Sequence, residues 1–178
     1  MQYYECPNKP HPEERLPISV YLAGGITGCP NWQQQATEYL KDLPIALFNP
    51  RRKEWAIVEE EGIHEQISWE FEIMKNADVI IFYFPMETLC PIALYELGRY
   101  NVLSMAPQGP KLFIATHPEY ERRLDLQIQT HLANSETVHD NLYVALHEAE
   151  KFIKDIFEDP LGSLKRSSRK KTSVSSFI

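Results

Sequence analysis

The chain has 178 residues, 43% of them hydrophobic, which is enough for one domain with a substantial core. Its net charge of −7 divides unevenly: residues 159–178 carry +4, leaving −11 on residues 1–158, and an acidic body argues against broad nucleic-acid binding. Three widely spaced cysteines, Cys6, Cys29 and Cys90, have neither zinc nor dithiol spacing and point to a reducing, cytoplasmic setting, while no segment approaches the about 20 apolar residues of a membrane span.

The opening "MQYYECPNKPHPEERLP" has neither a basic start nor an apolar stretch, so a soluble, unexported protein is expected. "ISVYLAG" (18–24) reads as the first strand and runs into Gly24, Gly25 and Gly28 ahead of a helix over 31–42. Glycines there let a ligand approach main-chain N–H groups, which suits ribose or phosphate, and equally make a tight structural turn. The spacing is not G-x-G-x-x-G and no acidic residue ends the second strand, "IALFN" (45–49), so a dinucleotide site is disfavoured. Arg51 and Arg52 follow that strand, placed either to hold an anionic group or to pair with surface acids.

A helix over 64–76 carries Ile67, Phe71 and Met74 as an apolar stripe, with Glu70 beside the stripe and Glu72 turned to solvent. On periodicity alone Glu70 is a surface or interface carboxylate, paired with Lys75 or a residue elsewhere. Asp78, just before the third strand "VIIFYF" (79–84), is expected to bond local backbone. The loop "PMETLCP" then leads into a helix over 91–104, where "LCPIALYELG" holds one charge in ten residues, Glu96. Burying an ionised carboxylate without partners costs several kcal/mol, so Glu96 either has a satisfying partner or lines a cavity that uses its charge. Cys90 opens that helix, where a thiol is either acidified or packed and hydrogen-bonded; the second role is expected. A fourth strand (111–116), a helix (120–131), a weak fifth strand (136–139) and a helix (140–157) follow. Residues 159–178, with Lys165, Arg166, Arg169, Lys170 and Lys171, read as a flexible basic tail behind a single domain over 1–158. The six histidines show no metal-ligand spacing, and no metal or organic cofactor is implied.

Strands that are apolar throughout and alternate with helices predict an α/β, flavodoxin-like doubly wound fold: a mainly parallel five-stranded sheet, order 2-1-3-4-5, with helices on both faces. In that order strands one and three are neighbours where the winding reverses, and ligands bind at their carboxyl ends. The loops meeting there are "AGGITGCPNW" and "PMETLCP", which puts Glu96 near the crevice.

"SVYLAGGITG", "SWEFEIMKNADVIIFYF" and "PIALYELGRY", in this order and spacing over about residues 18 to 116, resemble the nucleoside 2-deoxyribosyltransferase superfamily and its nucleotide N-glycosidase relatives. The resemblance implies cleavage or transfer at the N-glycosidic bond of a (deoxy)nucleoside or nucleoside 5′-monophosphate. Glu96 matches the family's glutamate nucleophile, Tyr21 the tyrosine that orients it, and Glu70 the acidic position that handles the proton of the leaving base, where relatives usually have aspartate. Gly24, Gly25, Ile26 and Thr27 of the first loop and Glu87, Thr88 and Cys90 of the second fall at the sugar and its 5′ group, and Trp32 and Trp69 either border the base pocket or sit in the core, the commoner place for tryptophan. Six residues before the nucleophile, relatives carry aspartate or serine where this chain has Cys90; Thr88 in that role favours a phosphate and Glu87 a free 5′-hydroxyl. The resemblance also implies a homo-oligomer with shared active sites. Glu96 is expected to stay ionised near a helix start and Glu70 to hold a proton more readily. The rival from another class is a non-catalytic nucleotide-binding or signalling module on the same fold.

Overall fold

The computed structural model describes residues 1–11, 13–14, 17–53 and 60–158. The predicted basic tail therefore lies outside the described residues. Among these residues six strands form one wholly parallel sheet: β1 (Gln2–Glu5), β2 (Ile18–Gly24), β3 (Ile45–Asn49), β4 (Val79–Phe84), β5 (Lys111–Thr116) and β6 (Val138–His139), in spatial order β1-β3-β2-β4-β5-β6. The five expected strands pair in the expected order, and the fold is flavodoxin-like. The correction is the sixth strand, β1, which pairs with β3 in register Gln2 to Ala46 through Glu5 to Asn49. "QYYE" escapes a hydrophobicity reading because an edge strand needs only one neighbour and stays partly exposed.

Among the described residues five helices cover the sheet: α1 (Trp32–Leu40), α2 (Glu60–Asn76), α3 (Pro91–Leu103), α4 (Arg123–Asn134) and α5 (Leu142–Glu158). Strand alternation sorts the core into two layers. Tyr21, Ala23, Ile80 and Phe82 pack with Trp69 and Met74 of α2, Leu97 and Tyr100 of α3 and Leu126 of α4. Val20, Leu22, Val79 and Ile81 pack on the opposite face with Ala36 and Leu40 of α1 and Leu142, Leu146, Ala149 and Ile153 of α5. Helix α4 begins three residues later than expected because Tyr120 is spent as an anchor: its hydroxyl donates to the Leu89 carbonyl at 2.8 Å, and its backbone closes a turn with His117 and Arg123. Asp78 bonds across strands, its Oδ2 accepting from the Ser19 N–H at 2.9 Å and the Ser19 hydroxyl at 2.7 Å. That clamp ties β2 to the start of β4, the two strands between which the winding reverses.

Candidate active site

At the carboxyl ends of β2 and β4 a cavity of about 580 Å³ opens between α2 and α3. Its wall takes Tyr21 from β2, the β2–α1 loop from Gly24 to Thr27, Glu70 from α2, Thr88 and Cys90 from the β4–α3 loop, and Glu96 from α3. The lone carboxylate of "LCPIALYELG" is thus at a cavity wall, half-buried, with a second carboxyl facing the same space.

The glycine loop is built for close packing. Gly24 has φ +146°, and a Cβ there would lie 2.1 Å from the Tyr83 carbonyl oxygen; a Cβ on Gly25 would lie 2.9 Å from the Cys90 sulfur. The Gly25 carbonyl accepts from the Trp32 indole at 2.8 Å and the Gln33 amide at 3.0 Å, which fastens the loop to the start of α1. Arg51 completes the fastening, its guanidinium donating to the carbonyls of Ile26, Cys29 (3.2 Å) and Pro30 (3.3 Å). Among the described residues it pairs with no acid, and it acts on the cavity only through the loop it holds. Arg52 does pair with an acid, Glu65, at 2.9 Å.

The two carboxyl groups differ in their company. Glu70 Oε1 accepts from the Gln66 amide at 2.6 Å, and burial raises its pKa while that amide and Arg52 pull it back down. Burial also raises Glu96, and the charge of Glu70 raises it further against a smaller pull from Arg99, to about 7. The expectation that Glu96 stays ionised meets a contrary pull: both carboxyls are dried by the walls, but among the described residues only Glu70 accepts a hydrogen bond. Tyr21 is held well above the ordinary phenol range by burial and then by the charges of Glu70 and Glu96, although among the described residues no hydrogen bond joins it to either. Arg99 lies 5.1 Å over the Phe71 ring and 5.0 Å over Tyr100, bridging α2 to α3 at the cavity edge.

Three expectations need correcting. Trp69 is in the core behind the wall, 1% exposed, with its indole donating to the Asn8 carbonyl at 2.9 Å and its ring against Tyr21; it supports Tyr21 and does not reach the cavity. Trp32 is likewise core. Glu87 is exposed and lines a different depression with Tyr83 and His117, so only Thr88 and Cys90 of that loop face the cavity. The stripe of α2 is also rotated: Gln66, Trp69 and Met74 are buried against the sheet, while Ile67 and Phe71 stand on the cavity lip, 59% and 51% exposed. Cys90 is no acidified thiol. Burial pushes it up to about 12 and its Sγ donates to the Thr88 carbonyl at 3.4 Å, the packing role expected of it.

Sequence reasoning passed over Gln66 and Arg99. Each had a signal in helical spacing, Gln66 four residues before Glu70 and Arg99 three after Glu96.

The Nucleoside 2-deoxyribosyltransferase like family model matches residues 17–108, just over half of the chain, and every residue on the cavity wall lies inside that match. The chain belongs to the nucleoside 2-deoxyribosyltransferase like family. Comparison with curated proteins gives no match. Membership in the deoxyribosyltransferase-like family points to an enzyme of that broad kind with a nucleoside substrate. No helix among the described residues is long and apolar enough to cross a membrane.

Proposed function

We propose that the chain breaks the N-glycosidic bond of a nucleoside 5′-monophosphate or nucleoside, with Glu96 as nucleophile and Glu70 as proton donor and acceptor. The observation that carries this reading is the pair of carboxyl groups facing one cavity, with Tyr21 on the same wall. Cleavage of the C1′–N bond builds positive charge on the sugar; the Glu96 carboxylate bonds to C1′, the bonding electrons leave with the base, and a base nitrogen takes its proton from Glu70. A water or a second base then attacks C1′, gives its proton to Glu70 and frees Glu96.

Like-charged carboxyls sharing a dry site hold one proton between them near neutrality, because ionising the first raises the second. Burial and the Glu70 charge draw that proton toward Glu96. Positive charge developing at C1′ stabilises the Glu96 anion, which shifts the proton to Glu70 where the departing base needs it. Of the two loop residues that distinguish substrates, Thr88 is on the wall and Glu87 is turned away, which favours a 5′-phosphate over a free hydroxyl.

The test is incubation with a panel of deoxynucleosides and 5′-monophosphates, read by chromatography for released base, beside Glu96→Ala. Release that falls by at least about a thousandfold in the variant is expected. Binding without release, unchanged by the substitution, would instead identify a non-catalytic nucleotide-binding module. A second copy of the chain closing the cavity is part of the proposal, supported by Ile92 and Tyr95 on the lip at 67% and 72% exposure.

A further inference from the structure

Glu70 is held by a buried side chain one turn earlier on α2 that itself lines the cavity. Gln66 is buried and all of its hydrogen-bonding capacity is taken up by fixed partners. Its Oε1 accepts from Arg52 Nε at 2.7 Å and from the Cys6 thiol at 3.0 Å, and its Nε2 donates to the Pro50 carbonyl at 2.9 Å and to Glu70 Oε1 at 2.6 Å. Turning the amide over would set its oxygen against two acceptors and its NH₂ against the Arg52 N–H, so one orientation is over-determined. The Pro50 carbonyl and Arg52 come from the loop after β3 and Cys6 from the end of β1, so the sheet's carboxyl edge sets the amide.

An amide N–H donates far better to a carboxyl oxygen that carries no proton, because the hydroxyl oxygen of a protonated carboxyl is a poor acceptor. We propose that Gln66 is a positioning residue for Glu70, keeping Oε1 unprotonated and confining the exchangeable proton to Oε2. This deepens the reading above and rests on it for its catalytic meaning. A glutamate has three rotatable side-chain bonds, and tethering one oxygen removes most of the orientations in which its proton would miss the base. The other charged or titratable groups facing Glu70 are Arg52 after β3, Glu96 and Arg99 on α3, Tyr21 on β2 and Cys6 after β1. None of these donates a hydrogen bond to it among the described residues; Gln66 does.

The experiment titrates Glu70 by carboxyl-carbon NMR in the wild type and in Gln66→Met, which keeps the length and removes the donor. The Glu70 titration is expected to move up in the variant, the pH profile of base release to move up with it, and kcat to fall about tenfold with KM within about twofold. Should Gln66→Met not fold, the wild type alone decides: the side-chain amide protons of Gln66 must shift through the pH range in which Glu70 titrates. Unmoved amide signals, or a Glu70 titration that is the same in the variant, overturn the proposal. Neither NMR measurement needs turnover, so a wild type that releases no base sinks the enzymatic reading while Gln66 is still judged on its own.

Discussion

Glu96 is the residue whose chemistry is most exposed to test, because its ionisation is tied to the fold. Its carboxyl rises from the ordinary 4.5 to about 7, first through burial and then through Glu70. The folded protein thus holds this proton more tightly than the unfolded chain does. The resulting stabilisation is complete below about pH 4.5 and is lost as pH rises through about 7. A rise of that size corresponds to about 3 kcal/mol at most. Glu96→Gln keeps the shape without the charge, so it should match the wild type in thermal unfolding at pH 5 and exceed it by several degrees at pH 8. Parallel loss of stability in both proteins would show that residue 96 does not titrate in this range. The same ionisation sets activity: kcat/KM of the wild type should fall as pH rises through about 7, where the free protein's carboxyl pair loses the one proton that the departing base needs.

The β2–α1 loop shows what a whole element does for these carboxyls. It is held at one end by the Trp32 and Gln33 bonds to the Gly25 carbonyl and at the other by Arg51 on the carbonyls of Cys29 and Pro30. From the sequence, "NPRR" offered two arginines at a strand end and no way to separate their uses. The difference lies in direction across the sheet: Arg51 reaches back over β2, and Arg52 reaches sideways to α2. Similarly, the stripe Ile67, Phe71 and Met74 was visible as spacing, but which flank of it meets the sheet depends on the roll of α2, and that is set by Trp69 packing against Tyr21 and Phe48. Arg51→Met should therefore loosen the glycine loop, and with it the Gly24 to Thr27 stretch of the cavity wall, without removing a side chain from that wall. A loss of about 1–3 kcal/mol in chemical denaturation is expected, with KM for the substrate rising several-fold while kcat stays within about twofold. A kcat that collapses with KM unchanged would contradict a purely loop-holding role.

On the scale of the whole molecule, the strand order and the position of the crevice were legible because a parallel sheet writes its strands as continuous apolar runs, and reversal of winding fixes where loops converge. The edge strand β1 was not legible, since its pairing with β3 is a long-range fact that four residues do not announce. Nor was the exposed apolar lip, because Ile67, Phe71, Ile92 and Tyr95 have the spacing of core residues; only the assembled fold leaves them outside, all on the wall of one cavity. Large side chains at 51–72% exposure around a polar site are costly to leave in water. In the proposed assembly a second copy covers them, which also dries the carboxyl pair further and limits the water that competes with an acceptor base. Sedimentation of the full chain should then give an oligomer, and Tyr95→Glu should weaken self-association by roughly thirtyfold, the effect of removing an interface anchor worth about 2 kcal/mol. Because the same contact shields the site, dilution below the dissociation constant should lower base release per chain. A wild type that sediments as a monomer, with specific activity independent of concentration, would leave the lip as part of the substrate's own binding surface.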